Sequence, residues 1–120
     1  MLQKIDCIMI KIEDPHGAVD FYERIFGLHE IWRDETAIGL GFDSEGDGTE
    51  IVLHKIEDIP NKIDVNYLVE NVQAAVEHFK KNECKVLAGP FEIPIGECAV
   101  VEDRNGIVWS ILDMSKGARK

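Results

Sequence analysis

The apolar positions of this chain follow two rhythms, a strand-like one and a helical one, and the pair of rhythms occurs twice. Residues 5 to 12 are rich in isoleucine and end at Glu13-Asp14-Pro15. Asp14 can cap a helix there and Pro15 can take its first position, where a missing N–H costs nothing. From Pro15 to Phe26 the residues Ala18, Val19, Tyr22, Ile25 and Phe26 fall on one helical face, and Gly27 supplies the stop. Leu28 to Arg33, Ala37 to Phe42 and Thr49 to Lys55 then read as three short strands of an antiparallel meander.

The same order begins again at Ile63 to Val69, a strand followed by the capping residue Asn71. Val72, Ala75, Val76 and Phe79 recur at helical spacing before Asn82 ends the helix. Three further strands are predicted at Lys85 to Ile93, with a break at Gly89-Pro90, at Glu97 to Glu102 and at Ile107 to Asp113. Asn105-Gly106 signals a tight hairpin between the last two. The tail from Ser115 to Lys120 is polar and expected to fray.

At an offset of 57 residues the two halves match. Ile12 falls on Val69, Glu13 on Glu70, Asp14 on Asn71, Ala18 on Ala75, Val19 on Val76 and Asp20 on Glu77. Strand, cap and helix face recur in step, which predicts a repeated β-α-β-β-β unit in an α+β fold. Modules of residues 1 to 58 and 59 to 120 would each be marginal alone, so a single domain spanning 1 to 120 is expected.

Composition narrows the function. Acidic residues outnumber basic ones 23 to 13, for a net charge of -10, a field that disfavours nucleic acid and anionic membrane surfaces as partners. No apolar run is long enough to span a membrane and the N-terminus does not read as a signal segment, so a cytoplasmic protein is expected. Cys7, Cys84 and Cys98 are widely spaced, with no C-x-x-C pair, and are expected to be packed thiols. Asp43 to Gly48 has the acids and glycine that open a calcium-binding loop. Its twelfth position would be His54 in place of a bidentate glutamate, so a solvated hairpin loop is expected instead.

The strand Cys7 to Ile12 with Asp14, the helical stretch Val19-Asp20-Phe21-Tyr22-Glu23-Arg24-Ile25-Phe26-Gly27-Leu28, and the late stretch Val101 to Leu112 with its Asp103-Arg104-Asn105-Gly106 turn resemble the vicinal oxygen chelate superfamily. This is the glyoxalase I, bleomycin-resistance and extradiol-dioxygenase group. The resemblance covers nearly the whole chain. It implies two modules whose curved mixed sheet encloses a small-molecule cavity, often completed by a second subunit, so a homodimer is expected.

Metal-dependent members of that superfamily place four ligands on inward-facing strand positions, two from the first strand of each module and two from the last. Carried over, these positions fall on Cys7, on Asp64, near Val52 and on Ser110. None is the usual His, Glu or Gln, and valine cannot ligate a metal, so the tetrad looks dismantled and no metal cofactor is expected. Period-two alternation places Glu50, Val52 and His54 on one strand face, Asp64 with Asn66 on another, and Ser110 with Leu112 on a third. Glu50 and His54, with Cys7 and Asp64, could make a rebuilt zinc site. The favoured alternative is that Glu50 and His54 orient an organic ligand or sit at solvated strand ends.

The expected cavity therefore consists of Cys7, Met9, Glu50, Val52, His54, Asp64, Asn66 and Ser110. The favoured function is small-molecule binding without a metal, with a metal-dependent lyase, isomerase or dioxygenase as the alternative. Glu50 and Asp64 together should favour cationic ligands. Cys7 has no histidine beside it in sequence to activate it and is expected to line the cavity as a packed thiol. His16 and His78 are expected at the surface, and His29 is not assigned a role. Trp32 is expected in the core, and Trp109, of opposite parity to Ser110, should face the helix layer.

Overall fold

The computed structural model describes residues 1–117. Its contacts gather into two compact units, Asp6–Val65 and Met1–Ile5 with the chain from Asn66 onward. The repeat in the sequence has its seam at 58/59, where the pattern restarts, whereas the units divide within a strand, between Val65 and Asn66.

The first unit holds β1 (Lys4–Lys11, of which residues 4 and 5 belong to the other unit), α1 (Pro15–Phe26), β2 (His29–Arg33), β3 (Ala37–Gly41) and β4 (Glu50–His54). Its strands lie in the order β2-β3-β4-β1. The β1–β4 pair is parallel and the others antiparallel, so the sheet is mixed. Asp14 caps α1 as the sequence suggests, accepting from the Gly17 N–H at 3.0 Å, an interaction worth about 1 kcal/mol. Gly27 closes the helix at φ 72°, a left-handed turn that glycine enters without a Cβ penalty. Val19 packs on Ile38, Leu40 and Leu53, joined by Ile10, Ala18, Tyr22 and Ile51, which fixes one face of the sheet against α1. The predicted helix face is only half used. Ile25 and Phe26 are exposed, and the Phe26 ring contacts Phe21 and Tyr22.

The second unit repeats the plan. It contains the second half of β5 (Ile63–Leu68), then α2 (Val72–Lys80), β6 (Lys85–Ile93), β7 (Gly96–Glu102) and β8 (Val108–Leu112), in the order β5-β8-β7-β6. Asn71 caps α2 through the Ala74 N–H. Val72, Ala75 and Val76 pack on Val69, Ala99 and Ile111. The break expected at Gly89-Pro90 lies inside β6, where the register with β7 shifts around it. The Asn105-Gly106 hairpin is a three-residue loop closed by Asp103 and Ile107, with Gly106 at φ 80°.

One side chain of this unit escaped the sequence reading. The Asp113 carboxylate is buried and accepts from the backbone N–H groups of Val72, Glu97 and Ser115 and from the Ser115 hydroxyl. It thereby ties the first turn of α2 to the start of β7. Those bonds also anchor Ser115 in the tail that was expected to fray, and Lys116 pairs with Glu92. Residues 118–120 of that tail lie outside the described residues. No helix among the described residues is long and apolar enough to cross a membrane.

Candidate functional site

In the first unit, pleating assigns the two sheet faces. Ile51 and Leu53 face α1, so Glu50, Val52 and His54 face away from it, as alternation predicts. The parallel register sets Cys7 beside Glu50, Met9 beside Val52 and Lys11 beside His54. One helix-free face thus carries two parallel rows, thiol–thioether–ammonium and carboxylate–isopropyl–imidazole.

At one end of these rows the face is largely apolar. Cys7 is 2% exposed and packs with Ala37, Val52, Met9 and Trp32, as expected of a packed thiol. Trp32 is the residue the sequence reading left in the core. Its indole crosses the adjacent strand and donates to Glu50 Oε1 at 2.7 Å. The crossing depends on Gly39, which pairs with Trp32 in β3. A methyl there would overlap the ring and lie 2.6 Å from its Cδ1. A glycine inside a strand was a visible signal of such a close approach.

The other end is polar. His54 is wholly buried, and its Nδ1 accepts from the Ile56 N–H at 3.1 Å. Nδ1 therefore holds a lone pair, and the neutral ring carries its proton on Nε2. Burial holds the imidazole pKa below its ordinary value; Lys11 adds to this and Asp64 opposes it. The Lys11 N–H bonds the Lys62 carbonyl and its ammonium is taken by the Ile59 carbonyl at 2.7 Å. Asp64, two residues beyond Lys62, lies on the Lys11 face of its strand. Asp64 Oδ1 accepts from Asn61 at 2.9 Å. His54 Nε2 and Asp64 Oδ2 are buried and have no hydrogen-bond partner.

The two remaining candidates belong to the second unit. Asn66 pairs with Ser110. Met9, the residue 57 positions before Asn66, pairs with Val52. Val52 and Ser110 therefore occupy equivalent places in the repeat. These are the two places to which the resemblance carries the last-strand ligands. Among the described residues no three His, Cys, Asp or Glu side chains are grouped as metal ligands are. Glu50 and His54 also stand four residues apart on an extended strand, about 13 Å between Cα atoms. This donor set does not fit a shared zinc ion.

The other polar candidates have structural or surface positions. His16 is half-buried, not fully exposed, and contacts the Asp34 carbonyl at 2.8 Å. His29 and His78 are exposed. The Cys98 thiol is pushed up to about 11 by burial, with Asp113 and Glu97 adding to it, and so makes a poor nucleophile at neutral pH. Asp43 accepts from the backbone N–H groups of Glu45 and Gly46, a self-capped turn. Trp109 lies on the α2 side of its sheet, as parity predicts. It donates to Asp103 and, with Phe79 and Val101, lines a cavity of about 220 Å³. An open groove of about 540 Å³ runs past Gln73 and Lys80. Neither cavity includes any of the candidate residues.

The family model "Glyoxalase/Bleomycin resistance protein/Dioxygenase superfamily" matches residues 4–111. No curated protein sequence matches significantly. Among solved structures, a Streptomyces coelicolor methylmalonyl-CoA epimerase variant complexed with 2-nitronate-propionyl-CoA is 17% identical, covering 96% of this chain and 99% of its own, with a TM-score of 0.72. A methylmalonyl-CoA epimerase complexed with methylmalonyl-CoA and NH4+ is 17% identical over 100% of both chains, with a TM-score of 0.73. A hypothetical protein from Bacillus halodurans C-125 is 14% identical over 98% of both chains, with a TM-score of 0.71. At these identities the likeness establishes the fold alone.

Proposed function

The chain belongs to the Glyoxalase/Bleomycin resistance protein/Dioxygenase superfamily, and from that premise we propose that it is a metal-free small-molecule-binding protein. The observation that carries this reading is the helix-free face of the first unit. There a tryptophan is held over Gly39 by a buried carboxylate, beside Val52, near which the resemblance implies a metal ligand and where valine cannot ligate. Such a face, apolar with a few fixed polar groups, is what recognition of a compact organic molecule requires. Cys7, Met9, Glu50, Val52, His54 and Asp64 contribute to it. A cytoplasmic homodimer completes the proposal.

The experiment is a thermal-shift screen of neutral, cationic and anionic aromatic compounds and acyl-CoA thioesters, run with and without chelator. Elemental analysis and light scattering are done on the same sample. A ligand at 100 times its dissociation constant should stabilise the fold by about 2.7 kcal/mol, a rise on the order of 10 °C for a chain of this size. Hits that persist in chelator, with well under one equivalent of transition metal, support the reading. Hits that vanish on chelation, or one tightly held metal per chain, would replace it with the metal-dependent lyase, isomerase or dioxygenase. A mass of 13.5 kDa in solution would remove the dimer.

A further inference from the structure

The second unit contains a cavity of about 220 Å³ on the α2 side of its sheet, lined by Leu2, Phe79, Cys84, Val101, Asp103 and Trp109, all of them within that one unit. Val101 and Trp109 are partners on the neighbouring strands β7 and β8, and Phe79 comes from the last turn of α2. Two aromatic rings, two aliphatic side chains and a thiol make most of this wall. The Trp109 ring is fixed from two directions. Its indole N–H donates to Asp103 Oδ2 at 3.0 Å, and the Tyr67 ring lies against it with centroids 5.2 Å apart.

The polar side chains of the wall are already engaged. Asp103 Oδ1 accepts from the backbone N–H groups of Asn105 and Ile107 at 2.8 and 3.0 Å. The Trp109 indole and these two backbone donors hold the Asp103 carboxyl below the ordinary carboxylate range, so it has no proton to give at neutral pH. The Cys84 thiol donates to the Asn82 carbonyl at 3.6 Å. Among the described residues of the wall no side-chain donor is left over. A cavity keeps a water molecule when about two to four polar partners stand ready for it. This one presents ring faces, methyl groups and a spent thiol.

We infer that this cavity is a second binding site, for a small neutral apolar molecule the size of one substituted aromatic ring, seated against Trp109 and Phe79. A dry cavity of about 150 Å³ walled by aliphatic and aromatic side chains takes up benzene, so the larger volume here accepts a ring with a short substituent. The two ring walls favour an aromatic occupant through offset or edge-to-face contact. A carboxylate would be set against the Asp103 charge. An ammonium would give up its water to a wall whose one carboxylate is already met by three donors. The site shares no residue with the helix-free face of the first unit, and it stands whether or not that face binds a ligand.

The test titrates the full-length protein with three matched probes, toluene, benzylamine and benzoate, while NMR follows the two indole N–H resonances. Toluene is expected to shift Trp109, to leave Trp32 in place, and to bind more tightly than either ionic probe by a factor of about ten or more. Cys84→Phe, which puts a ring into the cavity from its own wall, should abolish the Trp109 shift. Nuclear Overhauser contacts from the toluene methyl group to the Trp109 and Phe79 rings need no variant and decide the matter even if Cys84→Phe fails to fold. Absence of toluene binding, equal binding of all three probes, or contacts to Trp32 and Met9 in place of Trp109 and Phe79 would each overturn the assignment. None of these results touches the outcome of the thermal-shift screen, which tests the first unit's face across other compounds.

Discussion

Gly39→Ala adds one methyl group, and its cost can be worked out from the contacts that group would meet. The new carbon would overlap Nε1 and Cε2 of Trp32 and lie 2.6 Å from Cδ1. Carbon atoms settle at about 3.5–4.0 Å, so the ring must retreat by about 1 Å or more. That retreat breaks the 2.7 Å bond to Glu50. Losing a hydrogen bond to a charged group costs about 1.5–3 kcal/mol, and overpacking adds about 1–3 kcal/mol. Alanine returns about 0.5–1 kcal/mol through its lower backbone entropy. The net expectation is a loss of about 2–4 kcal/mol, near 4 °C of melting temperature per kcal/mol for a chain of this length. The assay is urea unfolding of Gly39→Ala, Trp32→Ala and the double variant. With the ring gone the methyl has room, so Gly39→Ala should cost close to nothing in the Trp32→Ala background. A cost that is the same in both backgrounds would refute the argument, since it would show that the glycine serves the backbone and not the indole.

Asp113→Ala should destabilise the protein by about 3–5 kcal/mol, as expected when a buried charge with several donors is removed, and Asp113→Asn by less; urea unfolding measures both. Burial raises the Asp113 pKa, but the donors from Val72, Glu97 and Ser115 outweigh it and hold it below the ordinary carboxylate value. Its contribution to stability is therefore present above about pH 4 and lost as the pH falls further. His54 acts at higher pH: its pKa is lowered in the fold, so the unfolded chain takes up a proton near pH 6.5 before the native state does. Stability should be constant with respect to this group above pH 6.5 and decline below it, and His54→Gln should flatten that decline in melting curves between pH 7.5 and 5.5.

Much of the fold is legible because its signals are local. Asp14-Pro15, Gly27 and Asn71 set helix ends through atoms within four residues of themselves, and pleating assigns Glu50, Val52 and His54 to one face without reference to other strands. The failures depend on distance along the chain. Asp113 is 41 residues from the Val72 N–H it caps, and no local pattern foretells that meeting. Trp32 reaches Glu50 across 18 residues only because Gly39 gives way between them. The shared face of Glu50, Val52 and His54 was legible, but the bonds those side chains make were not. Alternation places the Glu50 carboxylate, but only the structure shows that Trp32 donates to it and that Asn61 donates to Asp64.

The same bonding bears on whether this chain could have rebuilt a metal centre from His54. A histidine that ligates through Nε2 must carry its proton on Nδ1 and donate it to an acceptor, which fixes the ring. Here Nδ1 faces a donor, the Ile56 N–H, at 3.1 Å. Moving the proton to Nδ1 would set two hydrogens against each other and orphan a backbone N–H, at a cost of about 1–3 kcal/mol before any metal is bound. Ligation through Nδ1 would displace that N–H just as surely. Asp64 lacks the freedom to compensate, because Asn61 already orients one of its oxygens. The turn from His54 to Ile56 therefore selects the tautomer that donates at Nε2. That tautomer disfavours a metal ion at this end of the face.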